Sequence, residues 1–110
     1  MKPERFRVAI DDAVLRDVED RLARTRWAPE YANAQWQAGT NSAYLHDLVA
    51  YWRNGYDWRR HEAAMNRFDH FRVTIDGVPI HFIHARGKGP KPVPLILSHG
   101  WPWTFWDWQK

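Results

Sequence analysis

The apolar residues of this chain change their period near Phe68, and that change limits the possible fold more than any other feature. Upstream, Val14, Leu15, Val18 and Leu22 recur at intervals of three and four, as do Tyr44, Leu45, Leu48, Val49 and Trp52. This spacing lays one apolar stripe along a helix. Downstream, Phe71, Val73 and Ile75 alternate with Arg72 and Thr74, and Val78, Ile80 and Phe82 repeat the alternation after Asp76-Gly77. Alternation sends successive side chains to opposite faces of a strand. A two-residue Asp-Gly link fits a type I′ hairpin turn, which needs positive φ at both positions. The fold class is therefore α/β, with a helical domain over residues 1–67 followed by the first strands of a sheet over 68–110.

Punctuation refines this outline. Phe6 to Ile10 alternates like a short edge strand, and Asp11 or Asp12 is placed to cap the first helix, because a short side-chain oxygen accepts the unpaired N–H groups of its first turn. Pro29 bars continuation beyond Ala28. Residues 29–40 read as a loop anchored by buried Tyr31 and Trp36. Thr40 or Asn41 caps a second helix, and Gly55 ends it in a left-handed cap. Asp57 restarts a shorter helix through about Asn66. After the hairpin, Arg86 to Pro92 is a polar, kinked loop. Pro94 to Ser98 is a continuous apolar run, as expected of a strand buried on both faces. Trp103 to Lys110 opens a helix that stops without cap, glycine or proline, which reads as the cut end of a longer chain.

With 45% hydrophobic and 26% charged residues the composition is that of a globular protein. The apolar runs are far too short for a bilayer span, and the charged start has no apolar core behind it as a signal peptide would. The absence of cysteine excludes disulfides and thiolate zinc sites and makes the cytoplasm the default location. A net charge of +3 could suggest nucleic acid, but the 16 basic and 13 acidic residues interleave through Asp11 to Arg26 as on a solvated helix face, so no nucleic-acid partner is expected. The anomaly is tryptophan. Of eight, Trp101, Trp103, Trp106 and Trp108 crowd the last ten residues, where rings of that size seek burial.

The loop His99-Gly100-Trp101-Pro102 carries the chemistry. It follows the apolar run, at the carboxyl end of a strand, where ligands sit in open α/β sheets. Gly100 permits close backbone approach, Pro102 removes one donor, and the remaining N–H groups are free to face an anion. The stretch Leu95 to Phe105 resembles the His-Gly-Trp-Pro region of microsomal-type and bacterial epoxide hydrolases. Further segments resemble the same family in order: Phe6 to Trp27; Gly39-Thr40-Asn41 with Tyr44-Leu45; Tyr51-Trp52-Arg53 with Tyr56-Asp57-Trp58-Arg59; Asn66-Arg67-Phe68; and the hairpin from Ile75 to His84.

The resemblance implies an α/β-hydrolase sheet, truncated here, and a two-step hydrolysis of a small apolar epoxide by water, with no cofactor or metal. An aspartate opens the epoxide to an alkyl ester while two cap-domain tyrosines hold the leaving oxygen; a histidine oriented by an acid then activates water. It assigns the backbone N–H of Trp101 to the oxyanion hole and its indole to the pocket wall, with His99, Gly100 and Pro102 structuring the loop. It also implies a cis Trp101–Pro102 bond. This chain has no nucleophile turn of the Gly-Gly-Asp-Trp kind, no assignable cap tyrosine and no later histidine, so by itself it is expected to be inactive. The microsomal membrane anchor is absent too, which points to a soluble, bacterial-like member.

Other readings are weaker. Ser98 lacks the Gly-x-Ser-x-Gly elbow, and His99 and Asp107 lack a partner for proton transfer or attack. His61-Glu62-Ala63-Ala64-Met65 puts methionine where a zinc-binding histidine belongs, and His81 and His84 face opposite sides of a strand. Gly87-Lys88-Gly89 lacks the end of a phosphate loop. An esterase of the same fold is the closest enzymatic rival. A non-catalytic helical or aromatic binding module is the rival from another class.

Overall fold

In the computed structural model, residues 2–109 are described. The elements run β1 (Glu4–Phe6), α1 (Asp12–Ala23), α2 (Ser42–Asn54), α3 (Trp58–Met65), β2 (His70–Ile75) and β3 (Val78–Ile83), then a 3-10 helix at Phe105–Gln109. Lys110, the last residue of the anticipated terminal helix, and Met1 lie outside the described residues. The chain forms two compact units. One spans Ile10–Trp58; the other holds the residues up to Ala9 and those from Arg59 onward.

In the Ile10–Trp58 unit, α1 starts after Asp11, whose backbone is extended but whose side chain makes no capping bond, so the anticipated aspartate cap supplies position without a hydrogen bond. Leu15, Val18 and Leu22 are half-buried along the apolar stripe. The helix closes well before Pro29, as Thr25 donates its N–H and its hydroxyl to the Leu22 carbonyl. Asn41, not Thr40, caps α2 by accepting the Tyr44 N–H at 3.0 Å. Gly55 ends α2 at φ −123°, so the left-handed cap does not form. Glycine is needed there for space, since a Cβ would stand 2.9 Å from the Tyr51 ring.

The loop before α2 differs from the expectation in what it buries. Tyr31 is 93% exposed and Trp36 half so, with Trp36 against Tyr44 (ring centroids 5.0 Å). The anchor is Asn33, 5% exposed. Its amide donates to Glu30 Oε1 (2.7 Å) and to the Gly39 carbonyl (3.2 Å), and its Oδ1 accepts the Ala38 N–H (2.8 Å). A polar loop has more backbone groups to satisfy than apolar surface to bury, so the amide takes the centre. Ala32 and Trp36 adopt positive φ (49° and 63°) within it.

In the other unit, β2 and β3 form the anticipated hairpin. Asp76 and Gly77 both have positive φ (49° and 80°), and Ile75 pairs with Val78. β1 pairs antiparallel with β2, giving the order β1-β2-β3. This edge strand is Glu4–Phe6, earlier than the Phe6–Ile10 expected, because the side chain of Asn66 replaces a strand partner beyond it. Val8 donates its N–H to Asn66 Oδ1 (2.9 Å) and its carbonyl accepts from Asn66 Nδ2 (2.7 Å).

Pro94 to Ser98 is the main departure. It forms no strand, and Ile96 is 92% exposed. A strand exists only as part of a ladder, and among the described residues nothing lies beside this segment to pair with it. No helix among the described residues is long and apolar enough to cross a membrane.

Candidate functional site

Gly100, Trp101, Pro102 and Trp103 form a tight turn closed by Trp103 N–H donating to the Gly100 carbonyl at 2.8 Å. The Trp101–Pro102 peptide is cis, as the resemblance implied, which makes the turn type VI. Pro102 has no N–H, and Trp103 has spent its own on the turn. The Trp101 N–H makes no hydrogen bond to any described residue. The Trp101 indole is 95% exposed. No atom within 4 Å would meet a Cβ at Gly100.

The next residues hold the turn's exit. Thr104 N–H donates to Asp107 Oδ2 (2.8 Å), and the Trp106 N–H donates to Thr104 Oγ1 (3.2 Å). The Thr104 hydroxyl thus caps the first turn of the 3-10 helix, and Thr104 occupies the Asp107 carboxylate. Turn and 3-10 helix border an open depression of about 230 Å³ lined by Ser98, His99, Gly100, Trp103, Asp107 and Trp108. Trp101 is outside that lining. Ser98 Oγ lies 3.4 Å from the His99 carbonyl and has no base beside it. Among the described residues the arrangement offers an aromatic-sided hollow and, in the turn, two unclaimed backbone N–H groups, those of Gly100 and Trp101.

A second constellation was missed in the sequence. His70, 3% exposed, places Nε2 2.7 Å from the Met65 carbonyl and Nδ1 2.9 Å from His81 Nε2. A carbonyl only accepts, so His70 bears its proton on Nε2, and His81 must then donate to His70 Nδ1. The Phe105 ring stands edge-on to both imidazoles, at 5.6 Å from His70 and 4.8 Å from His81. Burial, and then the neighbouring His70, hold the His81 pKa below its ordinary value. The signal was available: a two-residue turn at Asp76-Gly77 dictates Arg72 opposite His81 and Ile83 opposite His70, which makes the two histidines diagonal neighbours on one face.

The other histidine patterns lead elsewhere. His84 packs toward Phe71 (6.5 Å) on the opposite face from His81, and Glu62 pairs with Arg59 at 2.7 Å. Among the described residues no three potential ligands gather to hold a metal ion.

Among the described residues, an α/β fold of three helices and a hairpin-extended sheet, ending in an exposed turn whose Gly100 and Trp101 N–H groups are unclaimed, is shared with known proteins. Residues 3–108 match the family model described as the epoxide hydrolase N terminus, and the chain belongs to that family. A protein of Stigmatella aurantiaca is 43% identical over 105 residues, 96% of this chain and 24% of that protein. Epoxide hydrolase 1 of Oryctolagus cuniculus is 36% identical over 109 residues, again 96% of this chain and 24% of the relative. The structure of Aspergillus niger epoxide hydrolase superposes with a TM-score of 0.69 at 30% identity, covering 76% of this chain and 22% of that one. Juvenile hormone epoxide hydrolase of Bombyx mori gives 0.72 at 25% identity, over 82% of this chain and 24% of the other. The chain thus spans about a quarter of the length of these relatives.

Proposed function

We propose that this chain is the N-terminal part of an epoxide hydrolase that converts an apolar epoxide and water to a vicinal diol. In that reading residues 1–67 are the N-terminal helical domain and 68–110 open the hydrolase domain, where Pro94 to Ser98 becomes a buried strand once its neighbours are present. The observation that carries the site assignment is the Trp101 N–H, which has no hydrogen-bond partner among the described residues and sits on a turn fixed by its cis Trp101–Pro102 bond. Such a fixed donor suits a negative oxygen that exists only during reaction.

The chemistry runs in two steps. An aspartate oxygen supplied beyond residue 110 bonds to an epoxide carbon as the ring C–O bond breaks, and tyrosine hydroxyls protonate the departing oxygen. A histidine then removes a proton from water, and the resulting hydroxide adds to the ester carbonyl. The tetrahedral oxyanion formed there is held by the Trp101 N–H and by the N–H following the nucleophile. Collapse releases the diol and restores the aspartate, and the proton taken up by the histidine returns to the tyrosine that gave one up. His99, Gly100 and Pro102 shape the turn, and the Trp101 indole closes over substrate as a pocket wall when the rest of the protein surrounds it. A cytoplasmic location accompanies this reading, and neither cofactor nor metal enters it.

The test is direct. The reading frame past Lys110 is expected to encode a Gly-x-Asp turn in the next strand-turn-helix unit, and the full-length protein to produce diol from a model aryl epoxide. A serine at that turn indicates an esterase. No acidic or serine nucleophile at all, together with no turnover, would falsify the enzymatic reading in favour of a binding module.

A further inference from the structure

We propose that His70 and His81 are positioning residues for the Trp101 N–H: the hydrogen-bonded imidazole pair forms the seat on which Phe105 fixes the exit of the Gly100–Trp103 turn. The inference rests on the reading of Trp101 as an oxyanion donor. It begins from how the turn is held. On its N-terminal side, Val93 to Ser98 is exposed and unladdered among the described residues, and in the proposed full-length protein its strand pairing would hold that side; the seat concerns the other side. On its C-terminal side the restraints are continuous. Trp103 N–H closes on Gly100, Asp107 and Thr104 clamp each other, and Phe105 lies against both imidazoles.

The seat is a directed chain of hydrogen bonds. His81 Nε2–H donates to His70 Nδ1, and His70 Nε2–H donates to the Met65 carbonyl at the end of α3. Three elements, α3, β2 and β3, are therefore joined beneath Phe105. Phe6 of β1 adds an edge contact to His81 at 5.3 Å. The acidic groups nearby are committed elsewhere: Glu4 faces Arg72, Asp69 pairs with Arg5, Glu62 with Arg59 and Asp107 with Thr104. The causes that act on His81 are its burial and His70, with no carboxylate among them, and the two bonds set the tautomers along the chain of donors. Ordinary core packing under Phe105 would need no polar pair. Two imidazoles sharing one proton line fix ring orientation as well as volume, which an apolar pair does not.

The experiment uses the full-length protein and two substitutions. His81→Phe keeps a ring against Phe105 but leaves His70 Nδ1 without its donor; His81→Gln keeps an N–H at the corresponding reach. In single-turnover kinetics on a model epoxide, His81→Phe is expected to slow ester hydrolysis about tenfold or more, since small displacements of a fixed donor are costly. Ester formation, which does not use the Trp101 donor, should change less than about twofold, so the alkyl-enzyme accumulates. His81→Gln should recover most of the hydrolysis rate. Equal loss in both steps, no loss, or a glutamine variant as poor as the phenylalanine one would overturn the proposal. Phe105→Leu, which removes the seated ring alone, is expected to reproduce the partition and serves if His81→Phe does not fold.

Amide spectra separate this inference from the enzymatic reading. The Trp101 and Trp103 amide signals should move in His81→Phe and return in His81→Gln, whether or not epoxide is turned over. Signals that stay put refute the positioning role. Absence of turnover in the unmodified protein refutes only the assigned chemistry.

Discussion

Asn66 shows how much a single amide accomplishes here. Its two hydrogen bonds close on both backbone groups of Val8, tying the segment that follows β1 to the residue that follows α3. Asn66→Ala leaves those groups unpaired and is expected to destabilise the full-length protein by about 1–3 kcal/mol in denaturant titration. His81 carries a different prediction. Its pKa in the folded chain lies below the ordinary histidine value of about 6.5, so just below that pH the unfolded chain binds a proton that the folded one refuses. Stability then rises with pH through this window: it is complete above about pH 6.5 and declines as pH falls toward the folded pKa. The glutamine variant should flatten that segment of a plot of melting temperature against pH. Both residues lie in segments that were legible in the sequence, but neither one's role was legible there. Asn66 acts across 58 positions, and the His70–His81 contact depends on register.

Local chemistry decided the elements wherever a residue acts on its immediate neighbours. Asp76-Gly77 turned the hairpin, because positive φ at two successive positions is a property of those residues. Gly77→Ala at φ 80° should cost about 1–2 kcal/mol by thermal melting. Asn41 capped α2 through a bond three residues long, and Asn41→Ala should cost about 1 kcal/mol. Asp11→Ala should cost less than that, as its side chain makes no capping bond. Where the outcome depended on how side chains pack and bond within a loop or cap, the sequence misled. Gly55 is needed after α2 for space beside the Tyr51 ring and not for a left-handed φ. Tyr31 and Trp36 were expected inside on hydrophobicity alone, but Asn33 had the geometry to satisfy the loop's backbone.

At the scale of the whole chain, the conspicuous fact is uncovered apolar surface on the segment that leads into the turn, Val93, Leu95 and Ile96 above all. Exposed apolar runs of this kind mark interaction surfaces or aggregation liabilities. The 110-residue chain expressed alone should therefore bind a hydrophobic dye, associate at micromolar concentration and form no diol; a sharp, reversible, concentration-independent melt would count against this. The sequence by itself determined the α/β class, the hairpin and the family, narrowed the second helix cap to Thr40 or Asn41 and marked the loop at His99 to Pro102, since each rests on residue type and short-range spacing. The tertiary structure alone decided that Pro94 to Ser98 has no ladder here, that Asn66 stands in for a strand, and that Phe105 comes to lie against the two histidines that the hairpin register brings together. Those depend on which backbones come to lie side by side, and no local preference encodes that.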